Sequence, residues 1–427
     1  MQPETRCARS GKVNTLWLLG LCGARFFTTL IFMTYAASLP VLRAAWGMSG
    51  TQAGSVSTGF QVGYAVSLLA FSWLADRVGA RRVYLTSAVA SAVTALAFAA
   101  LARSYISGLV LLTLAAVAQG GTYTTAIMLI ADRVPPETRG SAMGWLIASS
   151  SLSHAASLLL TGAMLPRGGY PLAFMAAAAG PVLGLVVAWL ALRSTPNLVH
   201  PRHAALRVQS EVFRNPPAVR LTAGYVFHSW ELLGMWAWAP AFVAASLARA
   251  GAAAVRSAEV GAYLASSFHV MGLLASSSMG HLSDRLGRRT VLFVLAAASA
   301  GCSLVFGWLI AAPLAVLALV GALYGFAALG DSPVLSVALT EAVRPAYLGT
   351  ALAVRSILGF GAGAAAPLVF GAILDATNPP GVTAATWGWA FGALGVGGLG
   401  AACCAYGLPR DRVPATRRTP GGRTVGR

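Results

Sequence analysis

The chain has 427 residues, of which 57% are hydrophobic and only 10% charged, against roughly 25% charged in soluble globular proteins. That little charge cannot coat a soluble surface of this size, and apolar stretches of about 20 residues, the length that crosses a hydrocarbon core, recur throughout. The net charge of +18 does not point to nucleic acid, because the basic residues lie in connections between apolar runs rather than in a stripe with interleaved aromatics.

The runs read in chain order as follows. Residues 1–14 form a basic N-terminus. The first run, 15–42, is too long for the apolar core of a signal peptide and is taken as a retained transmembrane helix. Runs at 52–74, 83–102, 105–131, 140–165 and 171–192 follow. The longest polar interruption, Arg193 to Arg220, contains Pro196, Pro201, Pro216 and Pro217. It reads as a linker, 193–218, with a short surface helix around Ala204 to Phe213. Six more runs follow at 219–247, 259–281, 290–310, 313–340, 348–375 and 384–407, then a basic tail, 408–427. The prediction is an all-α membrane protein of twelve transmembrane helices in two six-helix bundles, 15–192 and 219–407. The alternating ten-residue segments of a β-barrel are absent.

Most of the 30 Lys and Arg residues fall in the N-terminus, the tail and the connections on that same side. The positive-inside bias therefore puts both termini in the cytoplasm. The excess of Arg over Lys points to a GC-rich bacterial genome, hence an inner membrane. Cys22, Cys302, Cys403 and Cys404 sit in apolar runs and Cys7 in the N-terminus; they make neither a disulfide framework nor a zinc spacing, and no cofactor or metal is expected.

Two connections repeat. Leu74-Ala75-Asp76-Arg77-Val78-Gly79-Ala80-Arg81-Arg82-Val83 returns half a chain later as Leu282-Ser283-Asp284-Arg285-Leu286-Gly287-Arg288-Arg289-Thr290-Val291. Gly121, Asp132, Val134, Pro136, Gly140 and Ala142 are matched by Gly330, Glu341, Val343, Pro345, Gly349 and Ala351. Runs 2–3 thus correspond to 8–9 and runs 4–5 to 10–11, which makes the halves parallel repeats. Gly79 and Gly287 suit a left-handed turn that ends a helix.

With these residues the chain resembles the major facilitator superfamily of secondary transporters, whose loop 2–3 signature is roughly G-x-x-x-D-R-x-G-R-R. Gly280 keeps the leading glycine that Ser72 replaces in the first copy. The resemblance implies a cavity between the halves, lined by helices 1, 4, 7 and 10, with helices 2, 5, 8 and 11 along the seam. It also implies a cytoplasmic gate of Asp76, Arg77, Arg81, Arg139, Asp284, Arg285 and Arg289. Helix 5, Gly144 to Ala155, lacks the Gly-Pro pair of proton-coupled drug exporters.

Ionisable side chains at mid-bilayer cost at least about 2.5–3.5 kcal/mol each, so those present mark function. Arg25 in run 1 and Arg355 in run 11 are candidate substrate contacts, because a guanidinium fork suits a carboxylate. Tyr123 and Tyr324 are further lining candidates. Glu231 in run 7 is a candidate for proton coupling by salt-bridge exchange with Arg25. His228, three residues earlier, shares its helix face. Gly330-Asp331-Ser332-Pro333 reads as a helix start inside run 10, which predicts a discontinuous helix and makes Asp331 either its cap or a proton site. His154 and His269 read as lone imidazoles.

The function expected is secondary transport of a small organic anion with proton coupling or exchange. The expected partners are the small-molecule substrate, protons and lipid, with the monomer as the functional unit. An exporter of drugs or metabolites, or a carrier of a zwitterion, fits the same fold. A membrane enzyme or sensor is disfavoured, since no nucleotide loop or metal cluster is present.

Overall fold

The computed structural model describes residues 15–199, 213–344, 347–379 and 385–409. The N-terminal segment 1–14, all but the end of the helix expected near 204–213, and the tail beyond Pro409 lie outside the described residues.

Among the described residues the chain forms twelve helical rods: α1 Thr15–Ala45, α2 Gly50–Val78, α3 Ala80–Leu101, α4 Tyr105–Arg133, α5 136–167, α6 170–192, α7 Pro216–Arg249, α8 Ala254–Leu286, α9 Arg288–Phe306, α10 Leu314–Ala342, α11 Leu348–Thr377 and α12 Gly388–Tyr406. Rods α5 and α6 run on as one helix except at Gly168 and Gly169, where helical geometry breaks and Gly169 takes φ +64°. Ten stretches are long and apolar enough to cross a membrane; α5 and α6 count there as one, and the more polar α8 falls outside the ten.

Two expected details are corrected. The first helix is not continuous: a 3-10 turn at Thr29–Ile31 interrupts it. The Thr28 and Thr29 hydroxyls donate to the carbonyls of Ala24 and Arg25 at 2.8 and 2.9 Å, the kind of back-bonding that bends a helix, so the irregularity falls just after Arg25. In contrast, α10 runs unbroken through Pro333. Proline cannot donate to the carbonyl four residues back, that of Leu329, and Ser276 on α8 donates to it instead at 3.3 Å. The bond that would have marked a break comes from a neighbouring helix.

The termini of the described chain and the linker share one face, here the linker side; the opposite face is the far side. The halves meet where α2 packs on α11 and where the α5–α6 stretch packs on α8. The α2–α11 seam is tight at its far end. Gly50 N, Thr51 N and Thr51 Oγ1 donate to the Asp375 carboxylate at 2.6, 2.7 and 2.7 Å, and Thr58 Oγ1 donates to the Ala364 carbonyl at 2.6 Å. A Cβ on Gly54 would lie 2.1 Å from the Pro367 carbonyl oxygen, and one on Gly371 2.1 Å from that of Gly50. The two backbones therefore touch. On the α5–α8 seam a Cβ at Gly162, near the far end, would meet Tyr263, whereas Gly140, Gly144 and Gly280 nearer the linker side face open space. The far side is closed and this seam parts toward the linker side.

The closed far side depends on that backbone contact. In a cysteine-free background, Gly54→Val should prop the seam open. It should raise labelling of a cysteine at Ser57 by a membrane-impermeant thiol reagent severalfold; unchanged labelling would refute the steric account.

Candidate functional site

Arg25 and Arg355 are both buried, 5% and 8% exposed, and they come from opposite halves. The Arg25 guanidinium donates to Ser150 Oγ (2.8 Å), Tyr64 Oη (3.1 Å) and Thr122 Oγ1 (3.4 Å) and lies 4.9 Å from the centre of the Tyr123 ring. Arg355 donates to Ser336 Oγ at 3.0 Å and stands 4.3 Å over the Tyr225 ring, while its Nε has no hydrogen-bond partner among the described residues. Tyr123 interacts electrostatically with both arginines, and the Tyr64 ring lies 6.0 Å from Phe360 on α11. Each guanidinium thus faces a ring of its own, Tyr123 for Arg25 and Tyr225 for Arg355. Tyr64 and Tyr225 are contacts that sequence reasoning missed: a tyrosine within an apolar run carries no mark of the helix it faces.

The expected pairing of Glu231 with Arg25 does not form. Glu231, 3% exposed, points into the second half beside Ser299 on α9 and Tyr324 on α10. A Cβ on Gly398 of α12 would lie 2.7 Å from its Oε2, so the glycine leaves room for the carboxylate. Tyr324, expected in the cavity, is fully buried in this same cluster and donates to Ser303 Oγ at 2.9 Å. The i, i+3 spacing of His228 and Glu231 leaves about 60° between them around the helix axis, enough for α7 to aim them at different neighbours. His228 reaches α10, where its Nδ1 is 2.8 Å from Asp331 Oδ1 and its Nε2 is 2.9 Å from Ser332 Oγ. Asp331 and Ser332, expected to cap a helix start, instead engage this imidazole. The Tyr225 ring is 5.6 Å from that of His228, so one tyrosine bridges Arg355 and the His228–Asp331 pair.

His154 and His269 are not lone. Their rings sit 5.7 Å apart across the α5–α8 seam, with Phe32 stacked on His154 at 4.4 Å and Trp236 within 5.3 Å of both. Beside this cluster, further along α1 than Arg25, a cavity of about 30 Å³ lies among Phe32, Phe60, Gln61 and Trp236. It has room for a water or two and not for an organic solute.

On the linker side, Gly79 and Gly287 have φ of +93° and +88° with extended ψ of 142° and 146°. This is a glycine-only conformation, not the left-handed helical turn expected. The linker holds the first loop: Asn197 Nδ2 donates to the Val78 carbonyl at 2.8 Å and its Oδ1 accepts from Arg82 N at 3.1 Å. Arg81 donates to the Leu192 carbonyl at 2.8 Å, and Arg77 stacks on Trp73 at 3.6 Å. Arg139 donates to the Ala131 carbonyl at 2.8 Å. Asp76 is half-buried and Arg285 exposed, while Arg289 lies 4.9 Å over the Tyr406 ring. The residue that gathers the second loop is Arg288, which sequence reasoning did not single out. It binds Asp284 at 2.5 Å and Glu341 at 3.0 Å, tying α8 and α9 to the end of α10; in the first copy Ala80 stands at this position. Both carboxylates are exposed, so each pair contributes below about 1 kcal/mol. Arg288→Ala should therefore slow uptake about two- to fivefold with unchanged amounts in the membrane, checked by initial rates against immunoblots.

Two bundled halves, sealed at one face and holding buried guanidinium charge at their junction, define a membrane carrier. The chain belongs to the Major Facilitator Superfamily, whose family model matches residues 21–255 and 239–426. It is a multi-pass membrane transporter of that family and not an enzyme. It is 26% identical over 274 residues to the "Cis,cis-muconate transport protein" of Acinetobacter baylyi, a match spanning 61% of this chain and 63% of that relative. It is 28% identical over 386 residues to an uncharacterized MFS-type transporter of Mycobacterium tuberculosis, covering 85% of this chain and 79% of the relative. Among solved structures, a mutant of the nucleoside transporter NupG matches with a TM-score of 0.72 at 15% identity, over 91% of this chain and 98% of that one. A bacterial homolog of the human lysosomal transporter Spinster, inward-facing and unoccupied, matches at 0.71 and 17% identity over 93% and 97%. At such identities the structural likeness concerns the fold alone.

Proposed function

We propose that this chain is a secondary active transporter that moves a small organic anion, a carboxylate, across the bacterial inner membrane by alternating access, in symport or exchange with protons. The observation that carries this reading is the Arg25 guanidinium, 5% exposed and held by hydroxyls and a ring. A charge left in that position without a counter-ion is costly, and a substrate carboxylate supplies one together with bidentate geometry. The muconate-named relative supports a carboxylate, and the arginine-rich connections support a cytoplasmic linker side.

Proton coupling is assigned to His228 and Asp331. They form a buried pair one tyrosine away from Arg355, so a proton gained or lost there alters the field at the substrate site. Glu231, lodged among α9, α10 and α12, is a secondary candidate. Asp76, Arg77, Arg81, Arg139, Asp284, Arg285 and Arg289 remain candidates for the linker-side gate.

The test is uptake of labelled carboxylates into proteoliposomes with and without a proton gradient. A proton gradient should drive accumulation in the wild type, an inward one if the coupling is symport and an outward one if it is exchange. Asp331→Asn should lose that accumulation while keeping carboxylate exchange at equal pH. Gradient-independent uptake by the wild type would overturn coupling.

A further inference from the structure

Resting on the carboxylate reading, we infer that the substrate carries two anionic groups at opposite ends of a short uncharged skeleton, one for Arg25 and one for Arg355. The site holds two buried guanidiniums, and none of the described groups contacting them carries a negative charge. Around Arg25 these are Ser150, Thr122, Tyr64 and Tyr123; around Arg355 they are Ser336 and Tyr225. The nearby acids are already engaged: Asp331 with His228, and Glu231 in its own cluster beside Ser299 and Tyr324. A monoanion would neutralise one arginine and leave the other buried and uncompensated, whereas a dianion satisfies both. The Nε of Arg355, buried without a hydrogen-bond partner, is a donor awaiting an acceptor.

Placement supports the same conclusion. Arg25 belongs to α1 in the first half and Arg355 to α11 in the second, and Tyr123 interacts with both. Tyr64 and Tyr123 stand against Arg25, Tyr225 stands against Arg355, and Phe360 packs on Tyr64, aromatic faces that suit a carbon skeleton with its charges at the ends. A ligand gripped at both ends also binds the two halves to each other. It thereby couples occupancy to their relative position, as alternating access requires.

The test is competition for binding to the purified, detergent-solubilised protein, read by intrinsic tryptophan fluorescence. The probes are straight-chain α,ω-dicarboxylates of three to eight carbons and monocarboxylates of the same lengths. At the best length the dicarboxylate should bind about tenfold to a hundredfold more tightly than its monocarboxylate partner, the equivalent of one added charge-assisted hydrogen bond. The preference should vanish in Arg355→Gln and survive in part in Arg355→Lys, which keeps the charge and controls for folding. Equal affinity for mono- and dicarboxylates in the wild type, both weakened by Arg25→Gln, would overturn the two-ended substrate while leaving the carboxylate reading standing. Binding of neither series would overturn both.

Discussion

Arg25→Gln should weaken carboxylate binding by about tenfold to more than a hundredfold while the protein still inserts and folds. Glutamine keeps a donor for Ser150 and Tyr64 but removes the charge, and hydrogen bonds to charged groups are worth roughly 1.5–3 kcal/mol each. The cost of insertion should fall at the same time, because the variant no longer buries an uncompensated guanidinium. The expected signature is therefore a protein at least as stable as the wild type that binds carboxylates poorly. Paired thermal unfolding and binding measurements would check it. A marked loss of stability would instead mean that Arg25 is a structural strut among Ser150, Thr122 and Tyr64. Wild-type affinity would remove it from the site.

Asp375→Asn should shift the conformational balance by about an order of magnitude toward a far side that is open. The Asp375 carboxylate accepts two backbone N–H bonds and one hydroxyl bond at the start of α2, where the helix dipole favours negative charge. These contacts join the two halves and must break whenever the far side opens. Asparagine keeps one acceptor oxygen but loses the charge, and in this half-buried position a difference of about 1–2 kcal/mol is expected. Electron–electron distance measurements between spin labels at Arg103, in a far-side loop of the first half, and Arg256, in the first turn of α8 in the second half, should show a longer-distance population growing in the variant. An unchanged distribution would mean that the seam is held by the backbone packing of Gly54 and Gly371 alone.

Much of the architecture was legible in the sequence because it rests on local physics. Apolar run lengths marked the rods, and the paired Asp-Arg-x-Gly strings marked the repeat. Gly79 and Gly287 do end their helices at positive φ, but with extended ψ rather than in the left-handed turn expected. The four costly charges were equally visible, since an ionisable group in an apolar run stands out by composition alone. What could not be read was which helix each one faces. Glu231 and Arg25 balance in charge, and nothing in the chain says that α12 presents Gly398 to make room for the carboxylate elsewhere. Pro333 looked like a break because its missing N–H is local, whereas the Ser276 hydroxyl that compensates lies on another helix. Asp375 drew no notice at the end of an apolar run, although the Ser49–Gln52 capping box announced the helix start that it closes.

In the proposed carrier, two arginines hold the carboxylate. Solute counterflow tests this most directly, because it needs no driving force and no knowledge of the coupling ion. Proteoliposomes loaded with an unlabelled carboxylate should transiently accumulate the labelled one above equilibrium, and loading with the matching amide should give no overshoot. The overshoot should vanish in Arg25→Gln. Equal overshoot with neutral or cationic solutes, or a full overshoot in Arg25→Gln, would contradict the account.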